Sequence, residues 1–136
     1  MARGRKAEIT AVDGAISVAP PAPAWLPPHG KAEWRRLVPQ LVSDRKLAVH
    51  ELSSVESYCV AIARVREAEE AIQRDGITYI APDGQPKRNP ATSILKENME
   101  SARRLLVELG GTPASRSKNK GGAKGDGESE EFGVSI

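Results

Sequence analysis

Residues 89–113, NPATSILKENMESARRLLVELGGTP, constrain this chain more than any other stretch. Asn89 is a good N-cap, and Pro90 suits the first helical position, where its missing N–H leaves nothing unbonded. Leu95, Met99, Ala102, Leu106 and Leu109 then recur at three- and four-residue intervals, which puts them on one face of a helix. Gly110 supplies a left-handed C-cap, and Thr112-Pro113 stops the chain from continuing. The segment is a helix by its ends as well as by its period.

Two more helices are expected upstream. Trp34, Leu37, Val38 and Leu41 share one face of a helix beginning at Gly30 or Lys31 and ending near Val42. Pro39 interrupts that pattern and predicts a kink or a break. A longer helix spans about residues 50–75, with Leu52, Val55, Cys59, Ile62 and Ile72 as its apolar stripe and Gly76 closing it. Between it and the last helix, residues 77–80 favour a strand and Asp83-Gly84 a tight turn, so a small hairpin or flap is predicted. Pro86 weakens its return strand. With aromatics at only 4%, the core must rest on aliphatic side chains, which suits a mainly α fold.

The ends have a different composition. Residues 1–24 are basic at the tip and then rich in Pro and Ala, as expected of a flexible arm ending in an extended linker. Residues 117–136 are dominated by Gly, Lys, Ser and Glu, as expected of a disordered tail. It carries Lys118, Lys120 and Lys124 first, then acidic residues, then an apolar tag of Phe132, Val134 and Ile136. The folded domain is therefore placed at residues 25–116, near the lower size limit for a self-sufficient core.

Several chemistries have no residues to carry them. No phosphate-cradling glycine loop and no Gly-x-Ser-x-Gly elbow occurs. His29, in the linker, and His50, at a helix start, lack the i,i+4 pairing of a helical metal site, so no metal or cofactor is expected. Cys59 lies on an apolar stripe and reads as a small core residue; as the single cysteine it excludes an internal disulfide. Glu67, Glu69 and Glu70 are flanked by Arg64, Arg66 and Arg74 and read as a solvated face, not an acid/base pair. Nothing approaches the ~20 apolar residues of a membrane span, so a soluble protein with no membrane partner is expected, and with no enzyme signature in the chain a non-enzymatic one.

What remains is basic or apolar. Arg3, Arg5 and Lys6 form a basic cluster at the front, and a Gly between arginines lets such an arm lie in a narrow minor groove. Arg116, Lys118 and Lys120 follow the last helix, and Lys87-Arg88 sits on the flap. All eight are candidates for phosphate contact. Arg103 and Arg104, held on the helix, serve either phosphates or solvation. The net charge is only +2, so any DNA affinity must come from local concentration of these groups, multiplied by copies of the chain. The Trp25-Leu26 pair after the Pro-rich stretch needs burial, in its own core or on a neighbouring subunit.

With these motifs placed, residues 23–116 resemble the small terminase subunit of tailed bacteriophages. The similarity is to a branch that opens with Pro-x-Trp-Leu, here Pro23, Trp25 and Leu26. It closes with Leu-Gly-x-Thr-Pro-x-Ser-Arg, here Leu109, Gly110, Thr112, Pro113, Ser115 and Arg116. Trp34, Leu37, Pro39 and Leu41, then Tyr58-Cys59, Gly76 and Asn89-Pro90, fall between in the expected order. Gly111 departs from the pattern, standing where a larger apolar residue is usual, which puts in doubt the contact that follows the helix cap.

The resemblance implies a packaging factor in the cytoplasm of an infected bacterial host. It implies a cyclic homo-oligomer that binds double-stranded viral DNA and regulates a large terminase subunit carrying the ATPase and nuclease. On that reading Trp25, Leu26, Leu95, Met99 and Leu106 are interface residues, and Phe132, Val134 and Ile136 contact the large subunit. Two other classes fit the residues alone: a dimeric helix-turn-helix regulator, and a head-assembly adaptor that never touches DNA.

Overall fold

The computed structural model describes residues 14–111. Its elements are α1 (Pro28–Ser43), a 3₁₀ turn (Val49–Glu51), α2 (Leu52–Asp75), β1 (Thr78–Ile80), β2 (Pro86–Arg88) and α3 (Ala91–Glu108). The described residues are thus mainly helical, with one small antiparallel hairpin. The central helix, α2, packs against both α1 and α3.

Helix α1 begins two residues before the expected start. Pro28 occupies the first helical position behind an extended Pro27, and His29 belongs to the helix, not to a linker. Pro39 does not break it. The proline is exposed, and Trp34, Leu37, Val38 and Leu41, before and after it, are all buried. Packing along that stripe outweighs the one hydrogen bond that Pro39 cannot donate.

The same capping motif ends α1 and α3. After α3, Gly110 takes a left-handed φ of 72°. Its N–H donates to Val107 O at 3.0 Å, and Gly111 N–H donates to Leu106 O at 2.9 Å. After α1, Arg45 N–H donates to Val42 O and Lys46 N–H to Leu41 O, both at 2.9 Å. Here the left-handed residue is Arg45, with φ 57°, and no glycine marks the place in the sequence. The departure at Gly111 also has an answer. A Cβ there would lie 2.3 Å from Leu106 Cδ1, so the Leu106 side chain itself covers the cap.

Val55, Tyr58, Cys59, Ala61, Ala63 and Ala68 of α2 are buried, whereas Leu52, Ile62 and Ile72 are only half-buried. The buried set is wider than a single stripe because α2 is covered on two sides, and its alanines permit close approach. The α1–α2 seam is tight at Gly30, where an added Cβ would stand 3.0 Å from Cys59 O.

Residues 14–24 are not a free linker. Ala15 bridges Ala48, Ile16 N–H donates to Leu47 O at 2.8 Å, and Trp34 Nε1 donates to Pro20 O at 2.9 Å. Ile16 and Ala22 pack against the core. The segment is extended, as its prolines require, yet its apolar residues and carbonyls are used by the helices.

Candidate nucleic-acid and assembly surfaces

The hairpin projects from the end of the α2/α3 pair. Thr78 pairs with Arg88, Tyr79 with Lys87 and Ile80 with Pro86. Asn89 N–H extends the ladder to Ile77 O at 2.7 Å. Pro82, Asp83 and Gly84 form the turn. Gly84 adopts φ 85°, and Asp83 Oδ1 accepts from Gln85 N–H at 3.0 Å. Pro86 sits at the first position of its strand, where a missing donor is tolerated. Asn89 joins the hairpin to α3: its Nδ2 donates to Gly76 O at 2.8 Å and its Oδ1 accepts from Ala91 N–H at 2.9 Å. It caps the helix as expected, with Pro90 already in helical geometry.

Both faces of this hairpin meet solvent. Ile77 is 65% exposed, Ile80 68% and Tyr79 43%. Lys87 and Arg88 are exposed beside them, on opposite faces because strand side chains alternate. Two isolated strands carrying this much uncovered apolar surface are marginal by themselves, so the surface invites a partner.

A second surface lies toward the other end of the helix pair. Trp25, Glu56, Ser57, Val60, Asn98 and Leu105 line an open groove of about 470 Å³ between α2 and α3. The Trp25-Leu26 pair divides here. Leu26 is buried in the subunit's own core, whereas Trp25 stays 61% exposed at the groove. Of the other apolar candidates, Met99 is exposed, and Leu95 and Leu106 are half-buried. No sequence pattern announces the groove, because Ser53, Ser57 and Ser101 dilute its apolar lining; only the Trp before a helix signals it.

Tyr58, Glu33 and Arg36 form the most buried polar cluster among the described residues. Tyr58 Oη donates to Glu33 Oε2 at 2.7 Å, Arg36 Nε donates to Glu33 Oε1 at 2.9 Å, and Arg36 Nη2 donates to Oε2. Burial pushes the Glu33 carboxyl up, but the hydrogen bonds from Arg36 and Tyr58, with the charges of Arg36 and Arg66, hold it below its ordinary value. Burial first, and then the Glu33 carboxylate, drive the Tyr58 hydroxyl above its ordinary range. The three side chains satisfy one another, and their chemistry is that of a structural clamp between α1 and α2. Cys59 is buried beside it, and burial followed by the Glu33 charge pushes its thiol up to about 12, so the thiolate nucleophile is disfavoured.

The carboxylates of α2 are engaged at the surface: Glu67 with Arg64, Glu69 with Gln73, and Glu70 with His29 at 3.0 Å. Among the described residues no cluster of His, Cys, Asp and Glu is placed to hold a metal ion. None of the described helices is long and apolar enough to cross a membrane. Arg103 and Arg104 are exposed on α3. Arg3, Arg5, Lys6, Arg116, Lys118, Lys120, Phe132, Val134 and Ile136 lie outside the described residues.

A helical pair with an exposed basic hairpin and a separate apolar groove suits a protein that works through other macromolecules. The family model described as phage terminase, small subunit, matches residues 30–126, and the chain belongs to that family. Its setting is therefore phage genome packaging. The matched stretch includes Lys87, Arg88, Arg116, Lys118 and Lys120. No curated protein matches the chain. No solved structure matches it either.

Proposed function

We propose that this chain acts without catalysis of its own, as a cyclic homo-oligomer. It binds double-stranded viral DNA and recruits and regulates the large terminase subunit in the cytoplasm of the infected host. Membership in the terminase small-subunit family is the observation that carries this reading. The exposed Lys87-Arg88 hairpin and the uncovered groove at Trp25 support it, since both are surfaces suited to contacts outside the chain.

In this reading residues 25–116 form the assembly and packaging domain, followed by a charged tail at 117–136 and preceded by residues 1–24, of which 14–24 pack on the helices and the basic tip precedes them. Trp25, Leu26, Leu95, Met99 and Leu106 contribute to the subunit interface, Leu26 and Leu106 by supporting it from within. Arg3, Arg5, Lys6, Arg116, Lys118 and Lys120, together with Lys87 and Arg88, contact phosphates. Phe132, Val134 and Ile136 contact the large subunit. Identical subunits that meet head to tail form a ring when the rotation between neighbours closes on itself.

Native mass spectrometry of the full chain, with and without duplex DNA at near-physiological salt, tests this. A higher oligomer that binds DNA supports the proposal. A stable dimer overturns the ring, and an oligomer indifferent to DNA overturns the DNA role.

A further inference from the structure

The hairpin and the groove occur on the same chain, and each sets exposed apolar side chains beside a charge, Lys87 on the hairpin and Glu56 in the groove. By strand alternation Ile77, Tyr79 and Lys87 share one hairpin face, with Lys87 directly opposite Tyr79. That face is a blunt apolar knob with a cation beside it. The groove carries the opposite charge: the exposed Trp25, Val60 and Leu105 line it, together with the acidic Glu56.

One subunit cannot bring the two together. Ser57 in the groove and Asp75 at the end of α2, next to the hairpin, are 18 residues apart on one helix, about 27 Å at 1.5 Å per residue. Two different surfaces on identical chains can pair reciprocally about a two-fold axis or head to tail, and only the head-to-tail pairing extends beyond two copies into the ring proposed above.

We infer that the Ile77–Tyr79–Lys87 face of one subunit's hairpin seats in the Trp25–Val60–Leu105 groove of the next copy, with Lys87 against Glu56. This rests on the oligomeric reading above and names the contact that builds it. It leaves Arg88, on the hairpin's other face, available to phosphate.

The test is a cross-link in the full chain. Tyr79→Cys and Ser57→Cys are introduced together, both at positions that water reaches, and the protein is oxidised mildly. Bridged cysteines need Cα atoms within about 7 Å, far less than the separation of the two sites within one chain. A ladder of covalent multimers at successive multiples of the chain mass is the expected result, absent from either single variant. Should cysteine substitution disturb the fold, mixing serves instead. Tyr79→Asp spoils the knob and Ser57→Arg fills the groove. Each alone loses the oligomer, and together they form one-to-one dimers and stop, because only one competent contact remains.

A wild-type chain that is monomeric overturns the oligomeric reading itself. An oligomeric wild type giving no ladder and no mixed dimers overturns this inference alone. So does finding the groove cysteine shielded until residues 132–136 are removed, which makes the chain's own tail the occupant, or until the large subunit is withdrawn.

Discussion

Tyr58 donates its hydroxyl proton to Glu33 across the seam between α1 and α2, at 2.7 Å and almost out of reach of water. Removing the hydroxyl in Tyr58→Phe leaves a buried carboxylate short of a partner, at a cost of about 2 kcal/mol in urea denaturation. Glu33 titrates below its ordinary 4.5 in the fold, so its contribution is complete above that value. It is lost as pH falls through the lower folded value. Glu33→Gln should therefore flatten the acid limb of the stability profile relative to wild type. An unchanged acid limb would show that Glu33 is not the linked group.

The Tyr58 hydroxyl and the Cys59 thiol give an alkaline counterpart. Both are raised, so the stability they lend is present below their ordinary values, 10.0 and 9.0, and is lost as pH rises through the higher folded ones. Native Cys59 should resist alkylation at pH 8 and react at once in denaturant. Rapid labelling of the native chain would contradict its burial.

At Gly30, α1 lies close against the backbone of α2. Gly30→Ala improves helix propensity by up to about 1 kcal/mol, yet the new methyl meets the Cys59 carbonyl, which is held by the central helix. Overpacking at a backbone atom is expected to win, for a net loss of about 1 kcal/mol in urea denaturation. A more stable variant would mean the seam can open at little cost.

Arg45 offers the opposite case. It is exposed and holds a left-handed φ of 57° that glycine adopts freely. Arg45→Gly should raise stability by about 1 kcal/mol, without altering the α1 cap bonds. A lower melting temperature would show that the Arg45 side chain contributes more than its backbone conformation costs.

On DNA, neutralising Arg3, Arg5 and Lys6 together with Arg116, Lys118 and Lys120 should flatten the dependence of binding on salt while the oligomer persists. Every phosphate that the variant no longer neutralises takes about 0.9 off the slope of log K against log salt. An undiminished slope shifts the site to Lys87 and Arg88 on the hairpin. Deleting residues 132–136, by contrast, should reduce stimulation of the large subunit's ATPase and leave subunit number alone.

How much of the fold is legible in the chain depends on where the physics is local. The ends of α3 can be read because Asn89, Pro90 and Gly110 act on their immediate neighbours. The cap after α1 cannot, because Arg45 takes a conformation its identity does not advertise. Pro39 does not end α1 for a similar reason: its local cost is real, and tertiary packing carries the helix past it. Tyr58 and Glu33 are 25 residues apart, so no spacing rule joins them. The hairpin turn is written in Asp83-Gly84, whereas the groove exists only once α2 and α3 lie side by side.

The bridge between Ala15 and Ala48 sets a leash on the front of the chain. Arg3 lies 11 residues before Gly14, the first described residue, and so can never be more than about 40 Å from it, whatever path the backbone takes. That is close to the ~35 Å of one duplex turn. Whatever phosphates the arginines of the arm contact must therefore lie within about one helical turn of their own subunit's body. In an assembly, each arm can reach only the stretch of duplex that passes nearest its own subunit.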